Sequence, residues 1–423
     1  MSEQLNIRRA DGAHRVAITG MGAITPAGIG IEALWDAVVR KRCCIAPIER
    51  FDTAEFDVHI AGEIKNFDAL EHGLTKKESR RLGRFVQYAF VASDEAIAQA
   101  GLSMADEDPA RVAVVFGTGI GGIDELKNGF DTLHDKGPKR VSPLFIPTMI
   151  GNIASGNLAI RYGMKGECLD IATACATGTH CIGSAVRSIR HGYADVALAG
   201  GTEESINPIC IAGFSNLGAL SKSDDPTAAS LPFDARRGGF VAGEGAGALV
   251  LESFEHAMAR GAQILAEITG FGSTGDAYHM TAPDPSAEGI RRAMADALAE
   301  GGFNPLDLGH LNAHGTGTQA NDATESAALH ALADGDAAEV PVVSIKGTTG
   351  HMLGAAGAAE AIVCALSVMR DTVPPTTGFA EPAEDCPVRV LTEALTNYPQ
   401  KVALSTNLGF GGHNAALAIA PVR

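Results

Sequence analysis

The chain has 423 residues, 46% of them hydrophobic and 20% charged, and a net charge of −17. That balance fits a soluble globular protein of more than one domain. It excludes nucleic acid and anionic membrane as partners, because both need a strongly basic face.

The polar start, MSEQLNIRRADGAH, is no signal peptide, and no apolar run approaches the ~20 residues of a membrane span, so the chain is expected in the cytoplasm. Val16–Thr19 is the first strand-like run, followed by Val112–Phe116, Cys168–Ala174, Val196–Ala199 and Ala246–Leu251. Several are almost continuously apolar, as strands buried on both faces are. Ser79–Ala100 and Cys181–His191 carry helical spacing between them. The alternation predicts an α/β fold with a substantial parallel sheet. Ile18-Thr19-Gly20-Met21-Gly22 recurs as Ile268-Thr269-Gly270-Phe271-Gly272, each copy ending a strand-like segment. The echo suggests two related halves, 1–265 and 266–423, sharing one packed body. Eight cysteines without regular spacing argue against a disulfide framework and fit a reducing compartment.

Chemistry concentrates around Cys175. An apolar segment runs into it, and Ala176, Thr177, Gly178 and Thr179 follow before Ile182, Ala185, Val186 and Ile189 recur at helical spacing. Strand, sharp turn and helix with a cysteine at the turn is the logic of a nucleophile elbow. A helix start offers unpaired N–H groups and a positive dipole end, which lower a thiol pKa and can hold an oxyanion. The alternative is a structural cysteine, which is how the other seven read.

Two histidines support the catalytic reading. His314 stands on the turn Asn312-Ala313-His314-Gly315-Thr316-Gly317-Thr318, just after an apolar strand. His351 follows Lys346-Gly347-Thr348-Thr349-Gly350 and opens an Ala-rich helix. Sites in α/β sheets gather at strand ends. A ring near a helix N-terminus stays neutral and can donate one N–H to a developing negative oxygen. Lys346 could sustain that field or fix the tautomer; by default it would be a surface lysine. Gly409-Phe410-Gly411-Gly412 forms a glycine-flanked loop able to move and to bring an N–H to a ligand.

Taken in order, these motifs resemble the β-ketoacyl-acyl carrier protein synthases of the thiolase-like superfamily. The likeness extends over Ile18–Pro26, Gly117–Gly122, Pro232–Phe233, Gly243–Gly247 and Asp276–Thr281, nearly the whole chain. It implies two similar βαβ-rich halves in five α-β-α-β-α layers, and a homodimer in which Phe145 approaches the partner's acyl tunnel. It implies that Cys175 takes an acyl group from an acyl carrier protein, with the oxyanion at the N–H groups of Cys175 and Phe410. His314 and His351 would then assist decarboxylation of a malonyl-carrier, with no cofactor or metal. Thr316 and Thr318 would contact the pantetheine arm. Ile120 would line the acyl pocket, with Phe410 as its gate beside Gly409. Lys65, Lys139 and Arg140 would dock the carrier, while Lys76, Lys77, Arg80, Arg81 and Arg84 read as a solvated helix face. Leu408, the pair Thr406-Asn407 and Gly83 depart from the family pattern.

Rival readings fare less well. Gly117-Thr118-Gly119-Ile120-Gly121-Gly122 matches a dinucleotide loop, but no acidic residue ends a second strand about 20 residues on. A degradative thiolase needs a second cysteine in the C-terminal glycine loop, which has none. An initiating synthase would lack the histidine at position 351. A polyketide condensing subunit shares all of this chemistry. A chain-length-factor-like partner subunit would lack Cys175.

Overall fold

The computed structural model describes residues 7–333 and 339–422. Its largest sheet is built from β1 (Val16–Thr25), β2 (Val112–Thr118), β3 (Cys168–Leu169), β4 (Val196–Glu203), β5 (Gly245–Ser253), β6 (Ala266–Gly275), β7 (Leu308–Asn312), β8 (Pro341–Val343), β9 (Arg389–Val390), β10 (Val402–Gly409) and β11 (His413–Ala420). The principal helices are α1 (Arg84–Ala100), α2 (Ile153–Tyr162), α3 (Thr177–Arg190), α4 (Glu288–Gly301), α5 (Gln319–Leu332) and α6 (Ala356–Met369).

The strands run in the order β9-β8-β7-β10-β11-β6-β1-β5-β4-β2-β3. Numbered separately before and after residue 260, the first five strands lie in the order 3-2-4-5-1, and so do β6, β7, β8, β10 and β11. In each set four strands run parallel and only one, β5 or β11, runs antiparallel to them, so the substantial parallel sheet expected from the alternation is present. A short β1–β6 pairing, Ala17 to Glu267 and Ile18 to Ala266, joins the two sets.

Helices α3 and α6 form the middle layer, between the two strand sets. Helices α1 and α2 cover one outer face, and α4 and α5 the other. This is the five-layer, thiolase-like α/β fold. Helix α6 meets both strand sets and is buried from Ala356 to Val368. Its small residues allow that approach: a Cβ on Gly247 would meet Ala358 at 2.9 Å.

The repeated Gly-x-Gly does one job twice. A Cβ on Gly20 or Gly22 would lie 2.0 Å from the carbonyl oxygen of Ala96 or Ala92 in α1, and one on Gly270 or Gly272 would lie 1.9 Å from that of Ala297 or Ala293 in α4. Each pair lets an outer helix settle directly onto the first strand of its set.

Two expected elements differ. The strand through Cys168–Ala174 stops at Leu169, where an exposed edge ends and the chain bends out of the sheet. The helix over Ser79–Ala100 is two helices: a capping box of Thr75 and Glu78 starts Lys76–Arg81, and the chain turns extended before α1. Gly83 sits in that break, where a Cβ would crowd Glu125 and Phe85 at 2.9 Å. No helix among the described residues is long and apolar enough to cross a membrane.

Candidate active site

Cys175 lies in the tight turn Ala174–Ala176 at the start of α3. Ala174 takes a left-handed φ of 50°, a strained conformation for a residue with a Cβ. The turn is held by Ala176 N–H donating to Thr173 O at 3.1 Å and Thr173 N–H donating to Thr177 Oγ1 at 2.9 Å. The strain thus falls one residue before the cysteine.

The thiol is buried, and burial pushes its pKa up to about 12. The Lys346 charge and the N–H groups of Phe410 and Cys175 oppose that rise without overcoming it. The expected lowering by the helix start is therefore corrected: in the water-poor site desolvation wins. The backbone N–H groups of Phe410 and Cys175 both face the sulfur.

His314 follows β7, with its own N–H and that of Gly315 donating to the Glu325 carboxylate at 2.8 and 2.6 Å. Burial pushes Glu325 up to about 7. His351 is anchored by its N–H donating to Val241 O at 2.7 Å, and its ring meets Phe240 edge-on at 5.2 Å. It does not open the Ala-rich helix directly, since a turn at Leu353–Ala355 intervenes before α6.

The two imidazoles stand 5.0 Å apart, nearly perpendicular, and one donor atom from each lies within 4.8 Å of the other and of Cys175 Sγ. Burial, then the Lys346 charge, holds both pKa values well below 6.5, so both rings are neutral. Their tautomers follow from their neighbours. His351 Nδ1 accepts from Leu353 N–H at 3.3 Å, and its buried Nε2 has no partner among the described residues. His314 Nδ1 lies 3.2 Å from Asn407 Nδ2. Each ring therefore carries its proton on Nε2. With their Nε2 atoms protonated, the two rings form a hydrogen-bond donor pair beside the Cys175 sulfur.

Lys346 is not a surface residue. It is 1% exposed, and its ammonium donates to Glu360 Oε1 and to His314 O, each at 2.5 Å. Thr316, Thr318, Gly409 and Phe410 line a cavity of about 420 Å³ with Cys175 and both histidines. It extends past Leu217, Thr281 and Pro283. Ile120 and Phe145 do not line it in the single chain. Ile120 is 40% exposed, and Phe145 packs on Gly129, on a segment that also exposes Phe130, Leu144 and Ile146. Lys139 and Arg140 are exposed in a short turn, whereas Lys65 already pairs with Glu49.

Sequence reasoning missed the buried carboxylates. Glu203, pushed by burial up to about 7, accepts from Thr118 Oγ1 and from the N–H groups of Gly119, Ile120 and Gly354, tying the two strand sets together beside Cys175. Glu325 and Glu360 accept from groups of the second half alone, Glu325 from His314, Gly315 and Thr406 and Glu360 from Lys346 and Asn407. Glu360 was findable: it is the one charge in the run Ala355 to Leu366, and a charge in so apolar a helix needs a buried partner.

A five-layer α/β fold that buries a cysteine beside two neutral imidazoles defines a thiolase-like condensing enzyme. Residues 13–257 match the Beta-ketoacyl synthase, N-terminal domain, and residues 265–380 the Beta-ketoacyl synthase, C-terminal domain. The chain belongs to the β-ketoacyl synthase family. It is 46% identical over 403 residues to the 3-oxoacyl-acyl-carrier-protein synthase 2 of Staphylococcus aureus (strain N315), covering 95% of this chain and 97% of that protein. A beta-ketoacyl synthase structure from Burkholderia phymatum STM815 superposes with a TM-score of 0.89 at 34% identity, covering 97% of this chain and 100% of that one. A type II polyketide acyl-carrier protein in complex with its ketosynthase, bound to a hexaketide, gives a TM-score of 0.88 at 31% identity, covering 97% and 100%.

Proposed function

We propose that this enzyme elongates fatty acyl chains by decarboxylative condensation, joining an acyl group held on Cys175 to malonyl-acyl carrier protein to give 3-oxoacyl-acyl carrier protein and CO₂. The observation that carries the reading is the unpartnered Nε2–H of His351 facing the same small volume as His314 and Cys175. A buried donor left without an acceptor is costly unless a substrate oxygen fills the place.

In the first half-reaction the Cys175 sulfur attacks the acyl thioester carbonyl. The N–H groups of Cys175 and Phe410 hold the oxyanion, the carrier sulfur leaves, and the thiol proton ends on it. In the second, the malonyl thioester carbonyl accepts from His314 and His351. The bond to the carboxylate breaks, CO₂ leaves, and its electron pair becomes an enolate on the oxygen held by the two rings. The enolate carbon attacks the acyl-enzyme carbonyl, and the Cys175 sulfur departs to be reprotonated. Decarboxylation creates the carbanion, so no strong base is required. Thr316 and Thr318, whose hydroxyls lie 2.8 Å apart on the cavity wall, would meet the pantetheine arm.

The carrier structure above supports an acyl carrier protein as partner, and we assign its docking to the exposed Lys139 and Arg140 together with Lys65. The exposed Phe130, Leu144 and Ile146 support a homodimer, with Ile120 and Phe145 completing the partner's acyl pocket. The repeated strand order supports residues 1–265 and 266–423 as duplicated halves. The free cysteines fit the cytoplasm. The 46% identity to a 3-oxoacyl-acyl-carrier-protein synthase 2, against 31% to a type II polyketide ketosynthase and 35% to a ketosynthase/chain length factor, favours fatty-acid use.

The test separates the half-reactions. His351→Ala should still become acylated on Cys175, seen as an intact-mass increment, while release of CO₂ from malonyl-carrier collapses. Normal condensation by that variant would sink the assignment.

A further inference from the structure

Between Lys346 and His314 runs a closed ring of hydrogen bonds. The Lys346 ammonium donates to His314 O and to Glu360 Oε1, each at 2.5 Å. Asn407 Nδ2 donates to Glu360 Oε2 at 2.7 Å and lies 3.2 Å from His314 Nδ1. Asn407 Oδ1 accepts from Thr179 Oγ1 at the start of α3. All five residues are buried. The amide orientation is forced, since the opposite one would set the Asn407 oxygen against the Glu360 carboxylate.

We propose that Asn407 is a positioning residue that fixes the tautomer of His314. Its two amide protons go to Glu360 and to His314 Nδ1, so the imidazole proton must sit on Nε2, the nitrogen left to serve the cavity. Glu360 holds Asn407, and Lys346 holds Glu360. The buried ion pair thereby sets which histidine nitrogen can donate to substrate, at a position that never touches it. No charge is lost from the cavity, and the ring remains neutral. The inference rests on the reading of His314 as a donor in decarboxylation.

Three variants and one spectrum test it. In the natural enzyme labelled with ¹⁵N-histidine, His314 should show Nδ1 bare and Nε2 protonated; a protonated Nδ1 overturns the proposal without any mutation. Asn407→Asp replaces the donor facing Nδ1 with an acceptor. It should move the His314 proton to Nδ1 and cut CO₂ release from malonyl-carrier by about 10²-fold or more, the usual loss for one oxyanion donor. Acylation of Cys175 should stay within about threefold, because that step does not use the ring. Asn407→Leu, with the same number and branching of side-chain heavy atoms but no hydrogen-bonding group, should leave both tautomers populated and give a smaller loss confined to the same step. Equal losses in both half-reactions, or unchanged CO₂ release in Asn407→Asp, would overturn the role. His314→Ala separates the two claims: if it decarboxylates normally, the histidine reading itself is wrong, whatever the spectrum shows.

Discussion

Gly409 lies so close to Thr173 that a Cβ on it would stand 2.3 Å from the Thr173 carbonyl oxygen and 3.4 Å from the backbone nitrogen of Cys175. The missing side chain sets how closely the C-terminal loop approaches the nucleophile turn. It brings the Phe410 N–H to the sulfur. Gly409→Ala should push that loop away and slow acylation by about 10²–10³-fold, as loss of an oxyanion donor does. Release of carrier thiol in a single turnover measures this; an unchanged rate would show that Phe410 N–H is not part of the pocket.

The resting thiol should be protonated across the neutral range. Burial raises the Cys175 pKa to about 12, so the thiolate fraction grows tenfold per pH unit up to that value. Alkylation of Cys175 by iodoacetamide, followed by mass, should therefore keep rising through about pH 10. A plateau between pH 6 and 8 would mean a stabilised thiolate.

The histidines predict the opposite kind of profile. Their pKa values are depressed well below 6.5, so the neutral donors persist as pH falls through 6.5 and are lost only further down. CO₂ release, assayed on enzyme already acylated, should stay level from pH 8 through 6.5. A limb centred on 6.5 would contradict neutral, desolvated rings.

Carrier docking must overcome like charge, given a net charge of −17 on the synthase and the acidity general to acyl carrier proteins. Replacing Lys65, Lys139 and Arg140 together with glutamate should raise KM for acyl-carrier about tenfold at low salt, with less effect at high salt. Acylation by a small acyl-thioester should not change. Lys65 should contribute least, because Glu49 already neutralises it. Equal loss with both substrates would assign these residues to the fold.

The sequence made the chemistry legible where function sits on local motifs. Cys175, His314, His351 and the Phe410 loop each sit among small residues at or after a strand-like run, which made them candidates, and their ordered resemblance to a family gave them roles. It hid what depends on distant partners. Thr406-Asn407 stood out only as an unusual pair, because Asn407 finds Glu360 and His314 across 47 and 93 positions of chain. Helical spacing missed the break at Gly83, since the crowding by Glu125 comes from another element. Apolar composition overextended the strand at Cys168, because residues that leave a sheet for an enclosed turn are as apolar as those within it.

The division of the active site between the two strand sets has a thermodynamic consequence. Cys175 comes from the first set, His314 and His351 from the second, and Glu203 reaches across to Gly354. A molecule seated among the three catalytic side chains grips both sets at once and acts as a clasp. An occupant that bound only the folded chain at a concentration 100 times its Kd would add about 2.7 kcal/mol to the unfolding free energy. The melting temperature thus reports on how tightly an occupant binds the folded chain, without any turnover being measured.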